Sequence, residues 1–149
     1  MVHRYQSNGY NIVLDVNSGL VHVTDRMTYD MIGLMEEALG DKKAAEYFRQ
    51  DAVREDIVQQ MLGLFSEEQR AAIYKEEAEE ALDANNVKTV FAELYDELAG
   101  MVADSSLFTE DVYEPYIEHF KNRETVVKAL CLHIAHDCNL ACRYCFAEE

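Results

Sequence analysis

The chain has 149 residues, 49% of them hydrophobic and 28% charged, which allows one domain, or one small domain and part of another, and argues against wholesale disorder. Its 13 Lys and Arg residues stand against 29 Asp and Glu residues, and the net charge of −16 disfavours nucleic acid and anionic membranes as partners. The sequence has no apolar run near the ~20 residues of a membrane span and no export signal at its start, so we expect a cytoplasmic protein.

The first 24 residues predict a three-stranded antiparallel meander. Asn8-Gly9 is a strong hairpin signal between Val2–Gln6 and Tyr10–Val16, because both central residues of a type I′ turn need a positive φ. A second turn at residues 17–19 leads to a third strand, Leu20–Thr24. Alternation places one set of side chains of the second strand on a common face, namely Tyr10, Ile12, Leu14 and Val16.

The hydrophobic period then changes to that of helices, and five helices are predicted. They run from a cap at Thr24 or Asp25 to Gly40, over Lys42–Arg49, around Ile57–Phe65, from the capping-box residue Ser66 towards Leu82, and from a cap at Asn85 or Asn86 to Met101. The stripe expected to be buried on the last helix is Val87, Val90, Phe91, Leu94, Leu98 and Met101. Strands followed by helices predict an α+β domain over residues 1–102.

Residues 103–125 are predicted to be a linker, in which Pro115 opens a short helix. After it, Val126–Ala135 is a nearly unbroken apolar run with β-branched residues, typical of a strand buried on both faces of a parallel sheet. Such a strand needs neighbours for its backbone and its faces, and the sequence stops soon afterwards at Glu149. Residues 126–149 are therefore expected to be the start of a second, truncated domain.

All four cysteines lie between residues 131 and 145, which indicates a metal or cluster site rather than a disulfide framework. Cys138, Cys142 and Cys145 follow the spacing C-x₃-C-x₂-C, and three thiolates can ligate three irons of a [4Fe–4S] cluster, leaving the fourth iron open. Structural zinc is the alternative, although no second ligand pair stands at a usual zinc spacing. Cys131 lies within the apolar run and is interpreted as a core residue.

The cysteine motif carries a family resemblance. With Tyr144 as the aromatic residue, C-x₃-C-x-aromatic-C after a buried strand resembles the signature of the radical S-adenosylmethionine (SAM) enzymes. Asn11–Gly19 and Leu130–Cys138 resemble more narrowly the maturases of SCIFF peptides (six cysteines in forty-five residues), as do Leu107–Asp111 and Tyr113–Arg123. The resemblance covers nearly the whole chain.

This resemblance implies a fold, cofactors and a reaction. Cys138, Cys142 and Cys145 would ligate the [4Fe–4S] cluster, SAM would bind the open iron with its adenine near Tyr144, and a reductase or ferredoxin-type donor would supply the electron that yields a 5′-deoxyadenosyl radical. In this family the radical takes hydrogen from an α-carbon of a precursor peptide, to which a precursor Cys sulfur bonds as a thioether. Residues 126–149 would hold only the first strand and cluster loop of a radical SAM (β/α) barrel, so we expect the chain to be inactive by itself.

Residues 1–102 would correspond to the family's winged-helix-like precursor-peptide recognition element. An exposed strand edge suits this role, since the leader of a precursor can add a strand to it while side chains enter a groove beside a helix. The candidate groove wall is the Val87–Met101 helix. The candidate edge is the third strand, with residues Leu20, Val21, His22, Val23 and Thr24.

Other interpretations stay open at the level of sequence. A winged-helix DNA-binding regulator with an iron–sulfur or zinc sensor fits the element order, but the net charge opposes it, and its last helix sets Lys88 against three carboxylates. A peptide-binding module with a vestigial cysteine tail also fits. The strands could also serve only to cover the helices, because every small meander has edges.

Overall fold

The computed structural model describes residues 1–74, 82–83 and 85–118. Met1–Val112 form one compact unit of α+β architecture, in which a three-stranded sheet is followed by helices. The strands are β1 (Val2–Ser7), β2 (Tyr10–Asp15) and β3 (Val21–Thr24). The helices of the described part are α1 (Arg26–Leu39), α2 (Ala44–Tyr47), α3 (Asp51–Gly63), α4 (Glu67–Ile73) and α5 (Val87–Ala103).

The sheet is antiparallel with the order β1-β2-β3, as the sequence predicts. Asn8 and Gly9 both have positive φ, 50° and 83°, as the hairpin turn predicted from the Asn-Gly pair requires. β2 lies in the centre and pairs with β1 along its whole length, from Val2 opposite Asp15 to Ser7 opposite Tyr10. In the described part of the chain, β1 and β3 are therefore the two edges of the sheet.

The face of the sheet that meets the helices is the less apolar one. On β2, alternation correctly separates two faces, and the structure buries the face with Val13 and Asp15. The opposite face, which we call the outer face, carries eight residues of the three strands: His3, Tyr5, Ser7, Tyr10, Ile12, Leu14, Val21 and Val23. Several of these apolar side chains are exposed although they form one surface.

Helix ends follow local capping chemistry where a capping side chain is present. Asp25 accepts a hydrogen bond from the backbone N–H of Thr28 (2.6 Å) at the start of α1, and Gly40, with φ 53°, follows its end. Ser66 and Gln69 form the predicted capping box of α4, which ends at Ile73; residues 75–81, which the prediction also included in this helix, lie outside the described residues. The predicted caps at these two starts are confirmed.

The start of α2 differs from the prediction, and α5 starts after Asn86 as predicted but without a cap hydrogen bond from that side chain. α2 begins at Ala44 rather than Lys42. The backbone N–H of Lys42 donates to the carbonyl of Leu39 (3.1 Å), and its ammonium donates to the carbonyls of Ala38 and Leu39 (2.8 and 3.3 Å), so Lys42 closes the end of α1. At α5 the N-cap residue Asn86 makes no side-chain cap hydrogen bond. Its amide oxygen instead accepts from the backbone N–H of Asp83 (2.9 Å).

The core forms where α1, α3 and α5 pack together under the sheet. On α5 the prediction missed Tyr95 and Val102, which are buried, while Val90, Leu94 and Met101 are half-buried. The Tyr95 hydroxyl donates to the carbonyl of Phe48 (3.0 Å), which explains how a phenol tolerates burial, and burial raises the pKa of Tyr95 to about 12.

The core extends past α5, so the predicted boundary at residue 102 lies inside the compact unit. Leu107 and Phe108 are buried, and the Phe108 ring lies 5.5 Å from that of Phe48. In the second unit a 3₁₀ helix, Glu114–Tyr116, has Pro115 in its first turn, near the short helix predicted for the linker. The predicted strand and cysteine loop of residues 126–149 lie outside the described residues. Among the described helices, none has the length and apolarity to cross a membrane.

Candidate functional site

One side of the β3 backbone is bonded to β2. The backbone N–H of Asp15 donates to the carbonyl of Leu20 (2.9 Å), and hydrogen-bonded pairs recur at every second residue of an antiparallel ladder. His22 and Thr24 continue this series, so their backbone groups point towards β2. The prediction included Leu20 in the strand. The structure corrects this, because the Leu20 carbonyl closes the turn before β3 and the strand begins at Val21.

The other side of β3 is an unpaired edge. Val21 and Val23 alternate with the bonded residues, so their N–H and C=O groups point away from β2, and no described residue pairs with them. Their side chains are 59% and 65% exposed. Two donors and two acceptors at this spacing form the template to which an extended peptide adds a strand.

The edge at β1 is less accessible than the edge at β3. Because the N–H of Val16 donates to the carbonyl of Met1 (3.0 Å), the outward-pointing backbone groups of β1 belong to Val2, Arg4 and Gln6. Val2 is buried, and the Arg4 guanidinium is bound to α1 through its ion pair with Glu36 (2.9 Å). β3 is therefore the better candidate for strand addition.

On the buried face of the sheet, β3 contacts the segment that follows α5, residues 105–109, which we call the clasp. The His22 Nε2 lies 2.8 Å from the carbonyl oxygen of Ser106. The Asn17 amide of the β2–β3 turn donates to the carbonyl of Thr109 (2.6 Å). The structure thus connects β3 to α5, the predicted groove wall, through the loop after that helix.

Asp15 is the central residue of this connection and was missed by the sequence reasoning. Its carboxylate is fully buried, and it accepts hydrogen bonds from the backbone N–H groups of Asn17 and Ser18 (3.2 Å each) and of Thr109 (2.8 Å). Three backbone donors compensate the desolvation of the buried carboxylate. An Asp just before a turn is typical of an Asx turn, so the sequence could have indicated the two local hydrogen bonds of Asp15. It could not have indicated the third, because Thr109 is distant in the sequence.

Thr24 differs from the other polar side chains near this edge. Its hydroxyl oxygen is buried and has no hydrogen-bond partner among the described residues. Its carbonyl accepts from the side-chain amide of Asn11 (3.3 Å). Among the described residues, Thr24 therefore ends the strand with a bonded carbonyl and an unsatisfied hydroxyl.

The predicted cofactor residues, Cys138, Cys142, Cys145 and Tyr144, lie outside the described residues. In the part of the chain that is described, no group of three His, Cys, Asp or Glu side chains is arranged to hold a metal ion. The donor chemistry of the motif itself fits iron, since thiolates are the usual ligands of iron–sulfur clusters.

Two charged side chains of α5 pair with side chains of α3. The Lys88 ammonium pairs with Glu55 of α3 (2.7 Å) and lowers the pKa of that carboxyl. Arg54 binds both carboxylate oxygens of Asp96 (2.7 Å each), and this hydrogen bonding lowers the pKa of Asp96. Lys88 is the only basic residue of α5, so this helix offers little to the phosphates of DNA.

Comparison with known proteins gives no family assignment: no protein-family model matches the chain, and no curated protein matches it significantly. The assignment of a function therefore depends on the geometry of β3 and on the chemistry of the cysteine motif. The β3 edge suggests peptide recognition by the N-terminal part of the chain, and the cysteine motif suggests a metal cluster near its other end.

Proposed function

We propose that this chain carries the precursor-recognition and cluster-binding parts of a cytoplasmic radical SAM maturase that forms thioether crosslinks in a SCIFF peptide. The observation that carries the proposal is the edge of β3, where the backbone groups of Val21 and Val23 point outwards and no residue of the described part of the chain pairs with them. A maturase that acts on a ribosomally made peptide needs a site that holds an extended segment of the precursor outside the positions that it modifies. Backbone pairing supplies such a site.

Recognition begins with the leader of the precursor peptide, which adds a fourth strand beside β3. Its backbone exchanges hydrogen bonds with Val21 and Val23, while β2 pairs with the opposite side of the strand and the His22 side chain contacts the clasp. Three strands followed by helices are consistent with a winged-helix-like recognition element. Because the chain is strongly acidic, we expect the leader to be neutral or basic, with an affinity that falls modestly at high salt.

The cluster motif supplies the second part of the proposal. Cys138, Cys142 and Cys145 would hold a [4Fe–4S] cluster, with Tyr144 beside the SAM site, and residues 126–149 would begin the barrel. A cluster held there would supply the one-electron chemistry that cleaves SAM, with the electron coming from a reductase or ferredoxin-type protein. The task of the three thiolates is to hold three irons and leave one open. Cys131 has no ligand role.

Amide exchange in the presence of a bound peptide tests the recognition step. A displayed library of random 12-residue peptides is selected on the full chain under reducing conditions, and backbone exchange is then followed by NMR with and without a selected peptide. In the unbound chain, the amides of His22 and Thr24 should exchange slowly, and those of Val21 and Val23 rapidly. A bound strand should protect Val21 and Val23. A peptide that binds without protecting them contradicts the proposal, and so does a library that yields no binder.

A further inference from the structure

The outer face of the sheet carries information about which peptide the β3 edge accepts. Two rows of side chains cross this face, one from Tyr5 through Ile12 to Val23 and one from His3 through Leu14 to Val21. Apart from His3, none of its eight residues is ionisable near neutral pH, although the chain has 29 acidic residues. The face is thus an uncharged surface on an acidic protein.

Burial along these rows changes from the centre of the sheet to the edge. Ile12 and Leu14 on the central strand are partly buried because they have a neighbour on each side. Among the described residues, Val21 and Val23 have a strand neighbour on one side only, and they are 59% and 65% exposed. A strand added to β3 would give these two valines the second neighbour that the central residues already have.

We infer that the β3 edge selects leaders with an apolar-x-apolar segment, in which β-branched or aromatic residues stand opposite Val21 and Val23. This inference rests on the proposed strand addition to β3. Residues directly opposite one another in an antiparallel pair have side chains on the same face. Pairing with the outward groups of Val21 and Val23 therefore places two leader side chains, separated by one residue, on the outer face. The residue between them projects to the side of His22.

Charge supports an apolar partner over a basic one at these two positions. A Lys or Arg opposite Val23 would project over an apolar face whose rows contain no carboxylate. Basic leader residues would gain more from the acidic surface elsewhere on the chain. The backbone edge thus sets the position of the leader, and the outer face selects the two side chains that cover it.

The test combines peptide selection with paired substitutions on the outer face. From the random 12-residue library selected on the full chain, we expect enriched sequences with apolar residues at two positions separated by one. Binding of a labelled selected peptide is measured by fluorescence anisotropy. The isosteric double variant Val21→Thr/Val23→Thr keeps the backbone and the β propensity, and it should weaken binding about fivefold through loss of two apolar cross-strand pairs. The matched Val21→Ile/Val23→Ile variant should bind at least as well as the unsubstituted chain.

A peptide analogue with Ser at both apolar positions completes the comparison. It should bind more weakly than the parent peptide, and equally to the unsubstituted and the Val21→Thr/Val23→Thr chains. If selected peptides protect the Val21 and Val23 amides but bind the Thr and Ile variants alike, the inference on selectivity is wrong and the strand addition stands. If binding does not involve these amides, or if no peptide binds, the proposed recognition fails and the inference fails with it.

Discussion

The unpaired edge of β3 leads to a direct test of strand addition by Val21→Pro. Proline removes the outward N–H of Val21 and adds a ring on the side where the peptide would pair. Because that N–H has no described partner and the residue opens an edge strand, the substitution removes no hydrogen bond of the described sheet. The variant should therefore fold.

The size of the effect follows from one lost backbone hydrogen bond. A net contribution of about 1 kcal/mol, rising to about 2 kcal/mol when the peptide carbonyl is left without a donor, corresponds to a roughly 5- to 30-fold weaker binding. The matched variant Val21→Ile keeps both the N–H and an apolar β-branched side chain, and should retain its affinity. Affinities are measured by fluorescence anisotropy with a library-selected peptide on the full chain.

Circular dichroism and thermal unfolding establish that both Val21 variants retain the fold. A folded Val21→Pro chain that binds the peptide with unchanged affinity would place the binding site elsewhere on the molecule. Equal losses in Val21→Pro and Val21→Ile would assign the effect to the shape of the side chain rather than to the backbone. Either result refutes pairing at this position.

Three further predictions concern the clasp, the core and the cysteine motif. Asp15→Asn should lower the free energy of unfolding by about 2 kcal/mol in thermal or urea unfolding. Both carboxylate oxygens of Asp15 accept hydrogen bonds from backbone N–H groups, and an amide has only one oxygen to accept them. The exposed control Asp41→Asn should change the free energy of unfolding by less than about 0.5 kcal/mol. Tyr95→Phe should lower the free energy of unfolding by about 1 kcal/mol, because it removes the hydrogen bond to Phe48. Since the pKa of Tyr95 in the folded chain is raised to about 12, the unsubstituted chain should lose stability from about pH 10 upwards, and the variant should lose less. After anaerobic reconstitution with iron and sulfide, Cys142→Ala should lose bound iron and the broad visible absorption, and Cys131→Ala should keep both; equal loss in the two would contradict the assigned ligands.

The sequence predicted those elements whose signals are local. Asn8-Gly9 required a turn with two positive φ values, and the Asp25 and Ser66 caps each act on a backbone N–H three residues away. The alternation in β2 also gave the two faces of that strand. Local chemistry could not tell which face would be buried, because the outer face is the more apolar one and Asp15 lies on the buried side.

The parts that were missed depend on partners distant in sequence. Tyr95 is buried because its hydroxyl reaches a carbonyl 47 residues away, and Asp15 is buried because it reaches Thr109, 94 residues away. Ser105 and Phe108 in the clasp have φ values of 59° and 52°, in the left-handed region that side-chain-bearing residues seldom adopt. No local pattern predicts such a conformation, since it is imposed by tertiary contacts.

The clasp explains how so short a strand can serve as a binding edge. β3 has four residues, and a strand of that length at the end of a sheet would fray if only β2 held it. The contact of His22 with Ser106 and the hydrogen bonds of Asp15 and Asn17 with Thr109 fix the strand and its preceding turn to the clasp. The outward groups of Val21 and Val23 are therefore held in an extended arrangement before any peptide arrives, so that binding orders the peptide without also ordering the edge.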